Sequence, residues 1–216
     1  MTAPLTIRTG SLYHRKTTAR FTPVQLYTGW GCLDPPALSL RRHRVHACGY
    51  ALQTASRKEI WADVKVFADH AYIVRESEGH GVQIFDLAVL RPYYNDTTSS
   101  PLRSFSTTFK YSDFKCHNLV INEESAFGYA VGTPTCSGGL HAFDLADPSA
   151  PVFAGCFSAD NYTHDAQCVI YAGPDMRYTG SEICFALNED TLTVVDVSDK
   201  SDMVQLGRFE YNCILD

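Results

Sequence analysis

Leu140-His-Ala-Phe-Asp144-Leu-Ala-Asp147-Pro-Ser-Ala-Pro-Val152-Phe-Ala-Gly155-Cys-Phe157 returns further along the chain as Leu192-Thr-Val-Val-Asp196-Val-Ser-Asp199-Lys-Ser-Asp-Met-Val204-Gln-Leu-Gly207-Arg-Phe209. The matched pairs run without a gap from Leu140/Leu192 to Phe157/Phe209, each 52 positions apart. Val82-Gln-Ile-Phe-Asp86-Leu87 is a third copy of the first half, 58 positions before its partner, with Arg91 to Pro101 accommodating the extra residues. Self-similarity at such a period is the mark of a repeat architecture.

Two more strand-like runs precede each copy. The first are Asp63–Phe67, His117–Ile121 and His164–Ile170, and the second are Ala71–Val74, Tyr129–Val131 and Glu182–Phe185. β-branched and aromatic residues fill them, while Asn, Asp, Gly and Pro clusters such as Asn122–Ser125 and Gly173–Asp175 separate them. No helical period competes. Four short antiparallel strands recurring about every 50 residues predict an all-β fold of propeller blades, each sheet burying its faces against its neighbours. About three complete four-stranded blades are visible, which makes a partial or open propeller. Asp86, Asp144 and Asp196 close equivalent strands, where a carboxylate accepting backbone N–H bonds turns the chain.

Charge divides the chain in two. Of 216 residues, 45% are hydrophobic and 19% charged, and the net charge is −6. Residues 1–58 carry nine Lys/Arg against the single acid Asp34, or +8; the rest carries nine against 23 acids, or −14. The first segment is expected to be atypical, poorly ordered or a partial blade, and residues 59–216 to form the propeller. The acidic body disfavours a nucleic-acid partner, and no apolar run reaches the roughly 20 residues needed to span a bilayer. The first thirty residues also lack the apolar core of a signal peptide.

Eight cysteines are many for a reducing compartment. None forms a CxxC pair, which leaves zinc knuckles and thioredoxin motifs unsupported. Cys136 with Cys156 and Cys168 with Cys184 would each join neighbouring strands of one unit, so both pairs are expected as disulfides. The alternative is that they are buried thiols acting as small apolar residues. Asn95-Asp-Thr97 and Asn161-Tyr-Thr163 are N-glycosylation acceptor patterns. Both signals point to an extracellular or cell-surface location.

The chain resembles the LVIVD-repeat propellers, in particular the secreted proteins named choice-of-anchor B. The resemblance covers roughly residues 60–210 and lies in Trp61-Ala-Asp-Val-Lys-Val, Gly79-His-Gly-Val-Gln-Ile-Phe-Asp-Leu, His117-Asn-Leu-Val-Ile-Asn-Glu-Glu, Cys136-Ser-Gly-Gly-Leu-His, Phe153-Ala-Gly-Cys-Phe, Tyr162-Thr-His-Asp-Ala-Gln-Cys-Val-Ile-Tyr and Asn188-Glu-Asp-Thr-Leu-Thr-Val-Val-Asp-Val. It implies an extracellular propeller whose biochemical activity is ill defined, a fold and not a reaction. Residues 1–58 depart from the family's first blade except for a strand at Gly49–Leu52, and Tyr211–Asp216 stops where another inner strand would begin. An open arc would leave its end blades uncovered. Self-association or marginal stability is therefore expected, unless the N-terminal segment wraps against a blade.

Asp63, His117 with Asn118, and His164 with Asp165 occupy equivalent starts of the inner strands. Converging there, His117, His164, Asp165 and Asp63 could hold a divalent metal such as zinc or iron, or could simply satisfy buried backbone groups. Glu76 with Gly79-His80-Gly81, and Glu189 with Asp190, are expected at turns between strands. Ser137-Gly-Gly139 lacks the elbow pattern of a serine hydrolase. The function expected is a binding or scaffold module for a protein or glycan ligand, with a metal-dependent enzyme using the His/Asp set as the alternative.

Overall fold

The structure, a computed structural model, describes residues 49–51, 61–93 and 103–211. It consists of three four-stranded antiparallel sheets plus a two-stranded parallel pair. In the pair, β1 (Gly49–Ala51) runs beside β5 (Arg103–Phe105). The first sheet is β2 (Ala62–Phe67), β3 (His70–Arg75), β4 (Val82–Asp86) and β6 (Phe109–Tyr111). The second is β7 (Asn118–Asn122), β8 (Phe127–Val131), β9 (Leu140–Asp144) and β10 (Val152–Phe157). The third is β11 (Thr163–Ile170), β12 (Glu182–Asn188), β13 (Thr191–Asp196) and β14 (Val204–Glu210). Strands pair in chain order within each sheet, the meander that the repeat implies for a blade. The described residues form no closed ring, and the arrangement is that of an open or partial propeller.

The turns follow the repeated aspartates. Asp86 Oδ1 accepts the N–H of Ala88 at 2.7 Å, Asp144 Oδ1 that of Ala146 at 2.7 Å, and Asp196 Oδ1 that of Ser198 at 3.0 Å. Each carboxylate thus closes an Asx turn as its strand ends. The Gly79–Gly81 segment is likewise a turn, with both glycines at positive φ. Gly81 has no room for a side chain, since a Cβ there would collide with the Ser112 carbonyl.

Alternation along the strands gives each sheet two faces, and the second sheet sends one into the first sheet and the other into the third. Tyr72, Val74, Val82 and Ile84 of the first sheet meet Leu119, Ala130 and Phe143 of the second. Tyr129, Val131, Leu140 and Ala142 of the second meet Ala166, Cys184, Ala186 and Val195 of the third. Gly155, at a bulge in β10, lies so close to the Lys200 carbonyl of the third sheet that a Cβ would overlap it. The remaining face of the first sheet does not stay open. The excursion between β4 and β6 begins with a 3-10 stretch, Leu87–Tyr93, and its Leu87, Leu90 and Phe105 cover Val64, Val66, Ala71 and Phe85. Sequence reasoning expected two uncovered ends, yet this insertion caps one. The strand expected at Gly49–Leu52 is present as β1; the rest of residues 1–58 lies outside the described residues.

Candidate functional site

β2, β7 and β11 are the first strands of their sheets and neighbour one another across the seams. Their starting ends collect a polar and aromatic cluster. The imidazoles of His117 and His164 lie 4.3 Å apart between ring centroids. Trp61 stands 5.6 Å from His117 on one side and Tyr162 stands 6.1 Å away on another. His117 is held from behind: its Nδ1 donates to Glu76 Oε1 at 2.7 Å, leaving Nε2 as the free nitrogen of the ring. A carboxylate on Nδ1 fixes the ring's tautomer and orientation. Gly132, at positive φ, lets the backbone pass behind this ring, because a Cβ there would sit 2.5 Å from His117 Cβ.

The cluster grades from buried to exposed. His117 is buried and Tyr162 half-buried, while His164 and Trp61 are exposed, Trp61 by 45%. Burial, reinforced by the charges of Glu76 and Glu189, pushes the Tyr162 hydroxyl up to about 12, so it remains a hydrogen-bond donor across the ordinary pH range.

Of the four residues read as metal ligands, the fold brings the two histidines together and engages both carboxylates elsewhere. Asp63 accepts from Val64 N at 2.8 Å, Lys65 Nζ at 2.6 Å and Leu119 N at 3.3 Å, tying the first sheet to the second. Asp165 Oδ1 accepts the N–H of Ala166 at 2.8 Å. Among the described residues, no three His, Cys, Asp or Glu side chains are grouped to hold a metal ion. The carboxylate that does reach His117 is Glu76. Its sequence signal was faint, since it lies 41 residues away and has no counterpart in the other repeats.

The other expected sites fall as follows. The sulfurs of Cys136 and Cys156, and of Cys168 and Cys184, lie at bonding distance, with Cα atoms 5.3 and 4.0 Å apart. Cys116 is a buried free thiol. Asn161 is exposed, on a turn with positive φ, whereas Asn95 lies outside the described residues. Glu189 and Asp190 form the exposed turn between β12 and β13. No helix among the described residues is long and apolar enough to cross a membrane.

A second polar centre, missed in the sequence, locks the third sheet. Asp160 accepts from Asn188 Nδ2 at 2.6 Å, Thr191 Oγ1 at 2.9 Å and Arg208 Nε at 2.8 Å, and also from Thr193 Oγ1. Burial would raise its carboxyl, but the bonds from Thr193, Arg208 and Thr191 outweigh that and hold it below its ordinary value. These donors consume the carboxylate, which makes the centre structural.

No curated protein matches the chain, and no solved structure does. One family does: the LVIVD repeat matches residues 183–210, which span β13, β14 and all of β12 but its first residue. The chain therefore carries an LVIVD repeat within a stack of blade-like sheets.

Proposed function

We propose that the chain is an extracellular binding or scaffold module that presents the starting ends of β2, β7 and β11 to a glycan or protein ligand. The observation that carries this reading is the partly exposed cluster of Trp61, His117, His164, Tyr162 and Glu76 on a stiff sheet framework. An exposed indole offers an apolar face and a polar edge, the pairing a sugar ring needs, and the surrounding imidazole, phenol and carboxylate groups supply directional hydrogen bonds. The resemblance to choice-of-anchor B proteins and the two cysteine pairs support an oxidising, extracellular setting. So does the exposed Asn161 acceptor, which fits a glycoprotein.

The second reading, a metal-dependent enzyme, draws on the same two imidazoles. Zinc or iron bound by His117 and His164 could activate water, but Asp63 is engaged by Lys65 and the Leu119 amide, and no third His, Cys, Asp or Glu side chain among the described residues groups with the two imidazoles to hold an ion.

The test is a glycan array probed with the native chain and with Trp61→Ala and His164→Ala, alongside elemental analysis of each protein and of His117→Ala. Retention on one class of glycan, lost in both array variants, is the expected result. Binding that neither substitution alters would place the ligand elsewhere. Near-stoichiometric zinc or iron that disappears in both histidine variants would move the assignment to the enzyme.

A further inference from the structure

The two cysteine pairs differ in what can reach them. Cys168 and Cys184 are buried in the core between the second and third sheets, at 2% and 0% exposure. Cys156 lies on β10, an edge strand of the second sheet, and is exposed; its partner Cys136 is half-buried in the loop between β8 and β9. The first and third sheets pack the two faces of the second and leave this edge to solvent. Cys136 and Ser137 both stand at a φ of 52°, a left-handed conformation that residues other than glycine disfavour. A strained or exposed bridge belongs to the labile class of disulfides, in contrast to a buried structural one.

His141 stands beside the exposed bridge. Its Nδ1 lies 3.8 Å from Cys136 Sγ and 2.8 Å from Thr135 Oγ1, and its Nε2 lies 2.9 Å from Tyr111 Oη. Burial keeps the imidazole neutral and the Tyr111 phenol protonated at ordinary pH. Tyr111 therefore donates to Nε2, and the single ring proton sits on Nδ1, facing Thr135 Oγ1 and the sulfur. The threonines agree with this tautomer. Thr133 Oγ1 donates to the Thr135 carbonyl at 3.1 Å and accepts from Thr135 Oγ1 at 2.6 Å, which leaves Thr135 Oγ1 to accept from Nδ1.

We infer that Cys136–Cys156 is a thiol-exchange site for a small thiol of the glutathione class, with the His141 Nδ1–H stabilising the departing Cys136 sulfur. The external thiolate attacks the exposed Cys156 Sγ. A new S–S bond forms there as the Cys136–Cys156 bond breaks, and the electron pair leaves on Cys136 Sγ, within reach of Nδ1–H. A second thiol then displaces the first from Cys156. Two external thiols end as one disulfide, and their two protons end on Cys136 and Cys156. Stabilising the leaving thiolate speeds such an exchange.

Opening the bridge acts beyond the two sulfurs. The 132–139 loop is held by Gly132 N–H donating to the Gly138 carbonyl and Gly139 N–H donating to the Cys136 carbonyl, each at 2.9 Å. Tyr162 rests on that loop: a Cβ on Gly138 would stand 3.0 Å from Tyr162 Cα, and one on Gly132 3.2 Å from its ring. Reduction thus frees the backing of one wall of the cluster around His117, whatever ligand that cluster takes.

The test is incubation of the folded, oxidised full chain with excess reduced glutathione and no denaturant, followed by iodoacetamide and peptide mapping. Cys136 and Cys156 should become labelled about tenfold or more faster than Cys168 and Cys184, whose access requires the sheets to part. His141→Phe, with matching near-ultraviolet circular dichroism, should open the same bridge about tenfold more slowly, the size expected for losing a hydrogen bond to a charged group. Hydrogen exchange at Gly132, Gly138 and Gly139 should quicken once the bridge is reduced. Equal rates at the two pairs, or no reduction of either without denaturant, overturn the exchange site. An unchanged rate in His141→Phe overturns the role of the imidazole, and unchanged hydrogen exchange after reduction overturns the release of the loop.

Discussion

Tyr129 Oη donates to Glu182 Oε1 at 2.8 Å across the seam between the second and third sheets. The same oxygen accepts from Asn122 Nδ2 at 2.7 Å and Ser125 Oγ at 2.8 Å, and Oε2 accepts from Lys200 Nζ at 2.9 Å. Lys200 in turn lies 4.0 Å from the Phe127 ring centroid. One buried carboxylate of the third sheet therefore gathers three donors from the second, which fixes how the sheets stack. Removing one partner of a buried ion pair leaves the other uncompensated and costs about 3–5 kcal/mol. Glu182→Ala should lower unfolding stability by that order, measured by urea titration of the oxidised protein. Glu182→Ala/Lys200→Met should lose less than the sum of its single changes. Additive losses would mean that the pair is not coupled.

His141 makes the stability acid-sensitive. It is buried between sheets, with Tyr111 Oη at 2.9 Å from Nε2, Thr135 Oγ1 at 2.8 Å from Nδ1, and the Phe114 and Phe153 rings each 5.0 Å away. Burial lowers its pKa to about 4, against an ordinary value of 6.5. Between those values the unfolded chain binds a proton that the folded chain refuses, so stability falls as pH drops through this window and the histidine's contribution levels off below it. The loss from this group is on the order of 3 kcal/mol. Burial depresses His80 as well, which adds to the slope. Urea midpoints measured from pH 7 to pH 4 should fall steeply in the native protein and less in His141→Phe. An unchanged slope would show that other groups set the acid response.

These contacts separate what spacing can reveal from what it cannot. The 52-residue repeat was enough to place the last two strands of the second and third sheets and the turns at Asp144 and Asp196. It missed β5 and β6, which are three residues each, follow an insertion that breaks the period, and offer too little alternation to read. The equivalence of His117 and His164 was legible because repeats put equivalent residues at equivalent strand starts. The engagement of Asp63 with the Leu119 amide, of Asp160 with Thr191 and of Glu182 with Tyr129 was not, because seams and loops join residues that no period relates.

Gly155 tests the closeness of the same seam. The β10 backbone approaches the Lys200 carbonyl at this bulge so tightly that a methyl group has no place, and the obstacle is backbone, which cannot rotate away. Overpacking of this kind costs about 1–3 kcal/mol. Gly155→Ala should lower the thermal midpoint, whereas Gly180→Ala, with nothing within 4 Å but a positive φ, should show only the backbone strain of its conformation. A Gly155→Ala protein as stable as the native one would mean that the sheets stand further apart.

The cysteines of the described residues should divide into two pairs and one inert thiol. Cys168 and Cys184 sit directly opposite each other in the β11–β12 register, and Cys136 reaches from the loop before β9 to Cys156 in β10. With partners 16 and 20 positions apart in sequence, each closed loop contributes about 3 kcal/mol by restricting the unfolded chain. Cys116 differs: its Sγ donates to the Asn118 carbonyl at 3.0 Å, and burial pushes the thiol far above its ordinary pKa, which suppresses the reactive thiolate. Iodoacetamide applied to the folded, oxidised protein should leave these five cysteines unlabelled, and denaturant without reductant should expose Cys116 alone among them. Reductant with denaturant should release the other four, with peptide mapping of the oxidised protein returning the 136–156 and 168–184 links. Labelling of Cys116 in the folded protein would show that the first seam opens, and a different linkage pattern would show that the strands pair in another register.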